Sequence, residues 1–218
     1  MTKKNSEPLI PPHGGYAKLV TYKLGNLIYD ATTAFCDRYI NIKDRTHDQM
    51  VQAARSGVIN IMEGSEASAT SKKSELKLTN VAKASQEELL GDYMAFLRQR
   101  NLPIWSADSV EAKTVRNTRP GTLAQLRQLM GNMVSDKSDR SDRSDKSDKS
   151  DKSDKSDRSD KTLLKQEVAA NTMICLINQE TYLLGRQITK LAMNFKENGG
   201  FTERLYRVRS ENRKKDEV

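Results

Sequence analysis

Two histidines, His13 and His47, and two cysteines, Cys36 and Cys175, are the chain's whole supply of imidazole and thiol. Catalysis or metal binding needs such groups gathered, and the spacing does not gather them. The cysteines fall in separate helical patterns, neither a disulfide framework nor a metal spacing. There is no Glu-x-x-His pair of the kind di-metal bundles use, no Gly-x-Ser-x-Gly and no glycine-rich phosphate loop. His47 heads a helical pattern and reads as a first-turn surface residue. The expectation is a protein that is not an enzyme and has no catalytic residue, cofactor or metal. A hydrolase would have to be assembled from Glu63, Glu88 and Asp92 in one pocket.

Basic residues are more informative. Arg204, Arg207, Arg209, Arg213, Lys214 and Lys215 stand against one acid, Glu211, with Tyr206 among them. Such a segment neutralises phosphates and offers an aromatic face to a base, or is simply a solvated helix tail. Arg116, Arg119 and Arg127 add to a basic surface only if the fold brings them to it.

The elements that position these residues follow from hydrophobic periodicity. From Tyr16 to Tyr39 or Ile42, one helical stripe carries Val20, Leu24, Leu27, Ala31, Ala34 and Phe35. A second helix begins at Thr46, where Gln49 completes a capping-box spacing. Its stripe of Met50, Ala53, Ala54, Gly57, Ile61 and Gly64 is small enough to admit a neighbouring backbone, and suits association. The serine-rich stretch 65–71 ends it. A third helix carries Leu78, Val81, Ala82, Leu89, Tyr93 and Phe96 and stops at Asn101-Leu102-Pro103.

Residues 104–119 show no sustained period and read as a loop, with Trp105 folded back onto the core. Thr122 and Gln125 cap a short helix over 122–134 with Leu123, Leu126 and Met130 inward. The longest pattern runs from Leu163 to Phe195 and ends at Gly199-Gly200, about 35 residues and roughly 50 Å of helix. Together these predict an all-α, antiparallel four-helix bundle with a long connection between its third and fourth helices. Residues 1–15 form a mobile arm, 16–134 the first three helices and the short one, and 162–218 the fourth helix and basic tail.

Between them, residues 135–161 are nine Ser-Asp-Lys/Arg triplets. They have nothing apolar to bury, and serine and aspartate are poor helix formers, so disorder is expected. The repeat is neutral, leaving 28 Lys and Arg against 20 Asp and Glu in the other 191 residues. The net charge of +8 therefore belongs outside it.

Polar residues on or beside the stripes predict a structural polar core. Ser56, Asn60 and Glu63 flank the second helix's stripe, as Ser85, Glu88 and Asp92 flank the third's. Arg38 falls at the centre of the first stripe and is expected to pair with Asp92, since an unpaired buried charge costs several kcal/mol. No apolar run approaches the roughly 18 residues that a membrane span needs, and no secretory leader is evident, so a soluble, cytoplasmic protein is expected.

Two blocks carry a family resemblance. Residues 49–68, QMVQAARSGVINIMEGSEAS, and 77–90, KLTNVAKASQEELL, resemble the bacterial four-helix-bundle proteins typified by those encoded in intervening sequences of large-subunit ribosomal RNA genes. The block Asn60-Ile61-Met62-Glu63-Gly64-Ser65 and the spacing Ala82-x-x-Ser85-x-x-Glu88-Leu89 carry it. The segments LINQETYLLGRQI and NFKENGGFTERLYRVR are similar to the branch called four-helix-bundle suffix-domain proteins. Where that family usually has a glycine before the third-helix serine, this chain has Ala84. The resemblance implies a basic, barrel-like homo-oligomer, in relatives a pentamer. One relative, the accessory protein of diversity-generating retroelements, contacts nucleic acid and a reverse transcriptase. No catalytic residue carries over. The sequence thus predicts a non-enzymatic, self-associating scaffold that binds RNA or DNA through a basic surface, with a protein-protein adaptor lacking any nucleic-acid role as the alternative.

Overall fold

A computed structural model describes residues 10, 13–144 and 154–216. Among the described residues the chain is helical, without a strand. Four long helices carry the stripes: α1 (Val20–Tyr39), α2 (Arg45–Ala67), α3 (Lys72–Gln99) and α6 (Asp154–Asn198). Each packs on two of the others, α1 on α2 and α6, and α3 on α2 and α6. Between α3 and α6 lie α4 (Val110–Thr118) and α5 (Leu123–Ser144), both against α6. A last helix, α7 (Phe201–Asp216), follows Gly199, whose φ of 67° is the left-handed turn that ends α6 where expected.

Caps explain the boundaries. Asp44, rather than Thr46, opens α2: its carboxylate accepts the Thr46 amide at 2.9 Å, and that bond holds the acid below its ordinary range. Ser71 opens α3 by accepting from the Ser74 amide. At the start of α5, Thr122 accepts from the Gln125 amide and the Gln125 side chain accepts from Gly121, the expected reciprocal cap shifted by one residue. The segment expected to be a loop holds α4, capped by Ser109; nine residues with only Ala112 and Val115 buried are too few for a period to show.

The expected disorder of 135–161 is corrected at both flanks. Helix α5 runs on through Ser144 and α6 begins at Asp154. Extending an existing helix avoids the nucleation cost that a free triplet repeat would face, and poor propensity costs only about 0.5 kcal/mol per residue. Lys137 fastens the first flank, donating to Glu167 at 2.7 Å, with Glu111 at 3.7 Å. Residues 145–153 lie outside the described residues. The expected arm also touches down earlier than predicted, since the Gly14 amide donates to the Ser65 carbonyl; residues 1–9, 11 and 12 lie outside the described residues.

Trp105 folds back as predicted. Asn171 of α6, 1% exposed, accepts the Trp105 amide at 2.8 Å and donates to the Pro103 carbonyl at 2.9 Å, while the indole N–H donates to Glu167. Replacing Asn171 with leucine strands both backbone groups. The expected cost is about 2 kcal/mol, with a red shift of the single tryptophan's emission; unchanged emission and denaturation midpoint would refute the pinning role.

The core divides in two. The larger cluster contains Leu27, Ile28, Phe35, Ala54, Leu89, Tyr93 and Ile177. Phe35 stacks edge-on with Tyr93 and Phe96 at 4.9 and 4.8 Å, and Tyr93 donates to Thr32 at 3.1 Å. The smaller cluster, Ile61, Ala82 and Leu184, is joined by Leu19 and Tyr22. Between them on the four helices fall Gly25, Gly57, Gln86 and Glu180. Both polar side chains are 0% exposed, and neither their oxygens nor the Gln86 amide nitrogen finds a hydrogen-bond partner among the described residues. The glycines make room: a Cβ at Gly25 would sit 2.7 Å from a Glu180 oxygen, and one at Gly57 2.3 Å from Gln86 Nε2. Burial pushes the Glu180 carboxyl up to about 8.

Candidate functional site

The predicted polar core forms only in part. Ser56 and Ser85 meet at 2.9 Å across α2 and α3, and Asn60 donates to the Ser56 hydroxyl and carbonyl. Glu63 and Glu88 are exposed. Asp92 is half-buried, and burial with the Glu88 charge one turn away raises its pKa. The expected Arg38–Asp92 pair is corrected. Arg38 is exposed, its guanidinium 5.6 Å from the Tyr39 ring centroid. The apolar stripe of α1 is wider than the face that α1 buries, so the stripe's centre does not coincide with the core. Glu63, Glu88 and Asp92 line neither of the two grooves described below.

Histidine and thiols are likewise accounted for. His47 is buried, not a surface residue, because Asp37 of α1 reaches its Nε2 at 3.2 Å. Burial pushes the Cys36 thiol up to about 12 and Cys175 up to about 11, which leaves both protonated and poor nucleophiles. The small-residue face of α2, expected to serve association, is used within the chain: Gly57 faces Gln86, and Gly64 faces Glu75, Leu78 and Thr79 of α3.

The basic tail is helical. On α7, Arg207, Arg209 and Arg213 are exposed and Arg204 is half-buried, while Lys214 and Lys215 fall in its last turn. At 100° per residue, Arg204 and Arg207 share one side, and Arg209 and Arg213 the other. Glu203 accepts the Gly200 amide at 2.8 Å and so starts the helix. Helix α7 packs extensively on no other element.

Arg116, Arg119 and Arg127 do not join the tail; they lie over the seam between α1 and α6. Two grooves open there. One, of about 520 Å³, has Ala31, Ala34, Phe35, Met130, Ala169 and Met173 in its wall and Arg38, Arg127, Lys161 and Lys165 at its edge. The other, of about 540 Å³, has Leu24, Leu27, Leu176, Leu183 and Tyr182, with Lys23, Arg116 and Arg119. Arg119 adopts a left-handed φ of 47° that ends α4 and sends Pro120-Gly121 to the groove. Compared with protein-family models, curated proteins and solved structures, the chain has no match.

Proposed function

We propose that the chain is a non-enzymatic, self-associating scaffold that binds RNA or DNA through basic surface residues. Its architecture reads as an antiparallel four-helix bundle of α1, α2, α3 and α6, with α4, α5 and the triplet repeat forming the long connection. A four-helix bundle is what the resemblance to the bacterial intervening-sequence and suffix-domain proteins implies. The observation that carries the reading is α7: three exposed arginines on a helix set beyond Gly199-Gly200 and packed extensively on nothing else. Self-association is supported by apolar side chains left in solvent, Met193 of α6 at 57% and Tyr206 of α7 at 75% exposure.

Phosphate contacts release counterions, so affinity must fall steeply with salt. With six phosphates neutralised, binding to an oligonucleotide weakens about 10³-fold between 50 and 200 mM salt. Fluorescence polarisation measures it, and salt-independent binding, or none at the lower salt, removes the reading. An acidic protein partner bound in its place would mark an adaptor.

A further inference from the structure

We infer that the seam between α1 and α6 is a path for single-stranded nucleic acid, resting on the nucleic-acid reading above and naming the surface. The two grooves lie at successive levels along α1 and α6, with the start of α5 between them, Gly121 lining one and Leu123 the other. On α1 the lining runs Val20, Leu24, Leu27, Ala31, Phe35, Arg38, a continuous row at helical spacing, and on α6 it runs from Lys161 through Met173 to Leu183. Val20 to Tyr39 is ~28 Å at 1.5 Å per residue.

Charge identifies the occupant. Among the described residues, fifteen line one groove and twelve the other; seven of these are lysine or arginine, and none is aspartate or glutamate. The whole chain, by contrast, has 29 acids to 37 bases. Among the described residues none of the seven forms a salt bridge, whereas Lys72, Lys83 and Lys137 are paired with glutamates elsewhere. A ligand with one anionic head uses two cations and leaves five unanswered. Cations strung along ~28 Å suit a polyanion, whose charges recur along its length. A second copy of this chain is a poor occupant, because its least-packed part, α7, is itself basic.

The apolar walls decide between duplex and single strand. A duplex turns its base faces inward and meets protein through phosphates, sugars and groove edges, so it makes little use of the half-buried Leu24, Leu183 and Met130 in the walls. A single strand has unstacked bases that enter such notches and stack on aromatic rings. Tyr182 is 65% exposed at one groove, and Tyr39 lines the other under Arg38.

The test uses the full chain and a fluorescein-labelled 12-nucleotide oligouridylate, read by polarisation against salt. The combined substitution Lys23→Gln, Arg116→Gln, Arg119→Gln and Arg127→Gln is expected to weaken binding at least 30-fold and to flatten the log–log salt slope by about 3. Tyr182→Ala is expected to weaken binding about tenfold with the slope unchanged, and a 12-base-pair duplex to bind at least tenfold more weakly than the single strand. Circular dichroism confirms that each variant is folded. If wild type binds but the seam variant matches it, while Arg207→Gln with Arg209→Gln and Arg213→Gln abolishes binding, the seam is wrong and α7 is the site. Equal affinity for duplex also overturns the single-strand path. Failure of wild type to bind at low salt removes both the seam and the function beneath it.

Discussion

Glu180→Gln is expected to abolish most of the loss of stability that the wild-type chain shows as pH rises from 4.5 to 8. An unfolded glutamate ionises near 4.5, whereas burial in the folded chain holds the Glu180 carboxyl at about 8. Between those values the unfolded state sheds a proton that the folded state keeps. Native stability is therefore full below pH 4.5, declines through the window and levels off above 8. The interval of about 3.5 pH units corresponds to about 5 kcal/mol at order of magnitude. Burial among the described residues is the cause of that shift. The side chain faces Gly25, where a Cβ would meet both the Glu180 carboxylate and Val58. Asp92 adds a smaller slope of the same sign. Asp44 and Glu203, whose pKa values are lowered instead, contribute stability that is full above their unfolded values of 3.8 and 4.5 and is lost as pH falls through the folded ones. Urea denaturation followed by helical circular dichroism at pH 5, 7 and 9 checks the result. The variant's midpoint should hardly move while wild type's falls; parallel falls in both would place the titrating group elsewhere.

Why the sequence revealed the helices but not this layer follows from how each signal arises. Four long stripes repeat over many turns, so α1, α2, α3 and α6 stand out, and their ends carry recognisable chemistry at Ser71, Asn101 and Gly199. Helix α4 is too short to repeat. Gln86 sits where the third stripe should continue between Ala82 and Leu89, and Glu180 where the last should continue between Ile177 and Leu184. A polar residue in a stripe normally marks an edge, and nothing local says that two such gaps and two glycines fall at one level. That level is a tertiary fact, although paired gaps in separate stripes are a usable signal. The seam was hidden for the opposite reason. Val20 and Leu24 satisfy the α1 period, yet Val20 is 65% exposed, because a stripe wider than the buried face reads the same as core. Arg116, Arg119 and Arg127 are separated from α1 in sequence by α2 and α3, and only packing brings them to it.

The Gly57–Gln86 contact yields a prediction whose sign reverses with context. In a helix interior, glycine to alanine normally stabilises by about 1 kcal/mol. Here the new methyl would lie 2.3 Å from Gln86 Nε2, 3.0 Å from Cδ and 3.3 Å from Cγ, and the glutamine, fully buried, has nowhere to retreat. Overpacking of this kind costs about 1–3 kcal/mol, so Gly57→Ala alone should lower stability. In a Gln86→Ala background the colliding atoms are gone and the propensity gain is exposed, so the same change should raise stability by about 1 kcal/mol. The coupling between the two positions is then about 2–4 kcal/mol, well beyond the few tenths that separate sites show. Removing the stranded amide has its own value: Gln86→Met keeps similar volume without an unpaired donor and acceptor, and is expected to stabilise by about 1–3 kcal/mol. A four-member thermodynamic cycle in urea measures the coupling, and additivity within error would mean that the glycine is not there to accommodate the glutamine. A stabilised Gln86→Met chain would show that the polar layer costs the four helices adhesion, which leaves their alignment as the role it can serve.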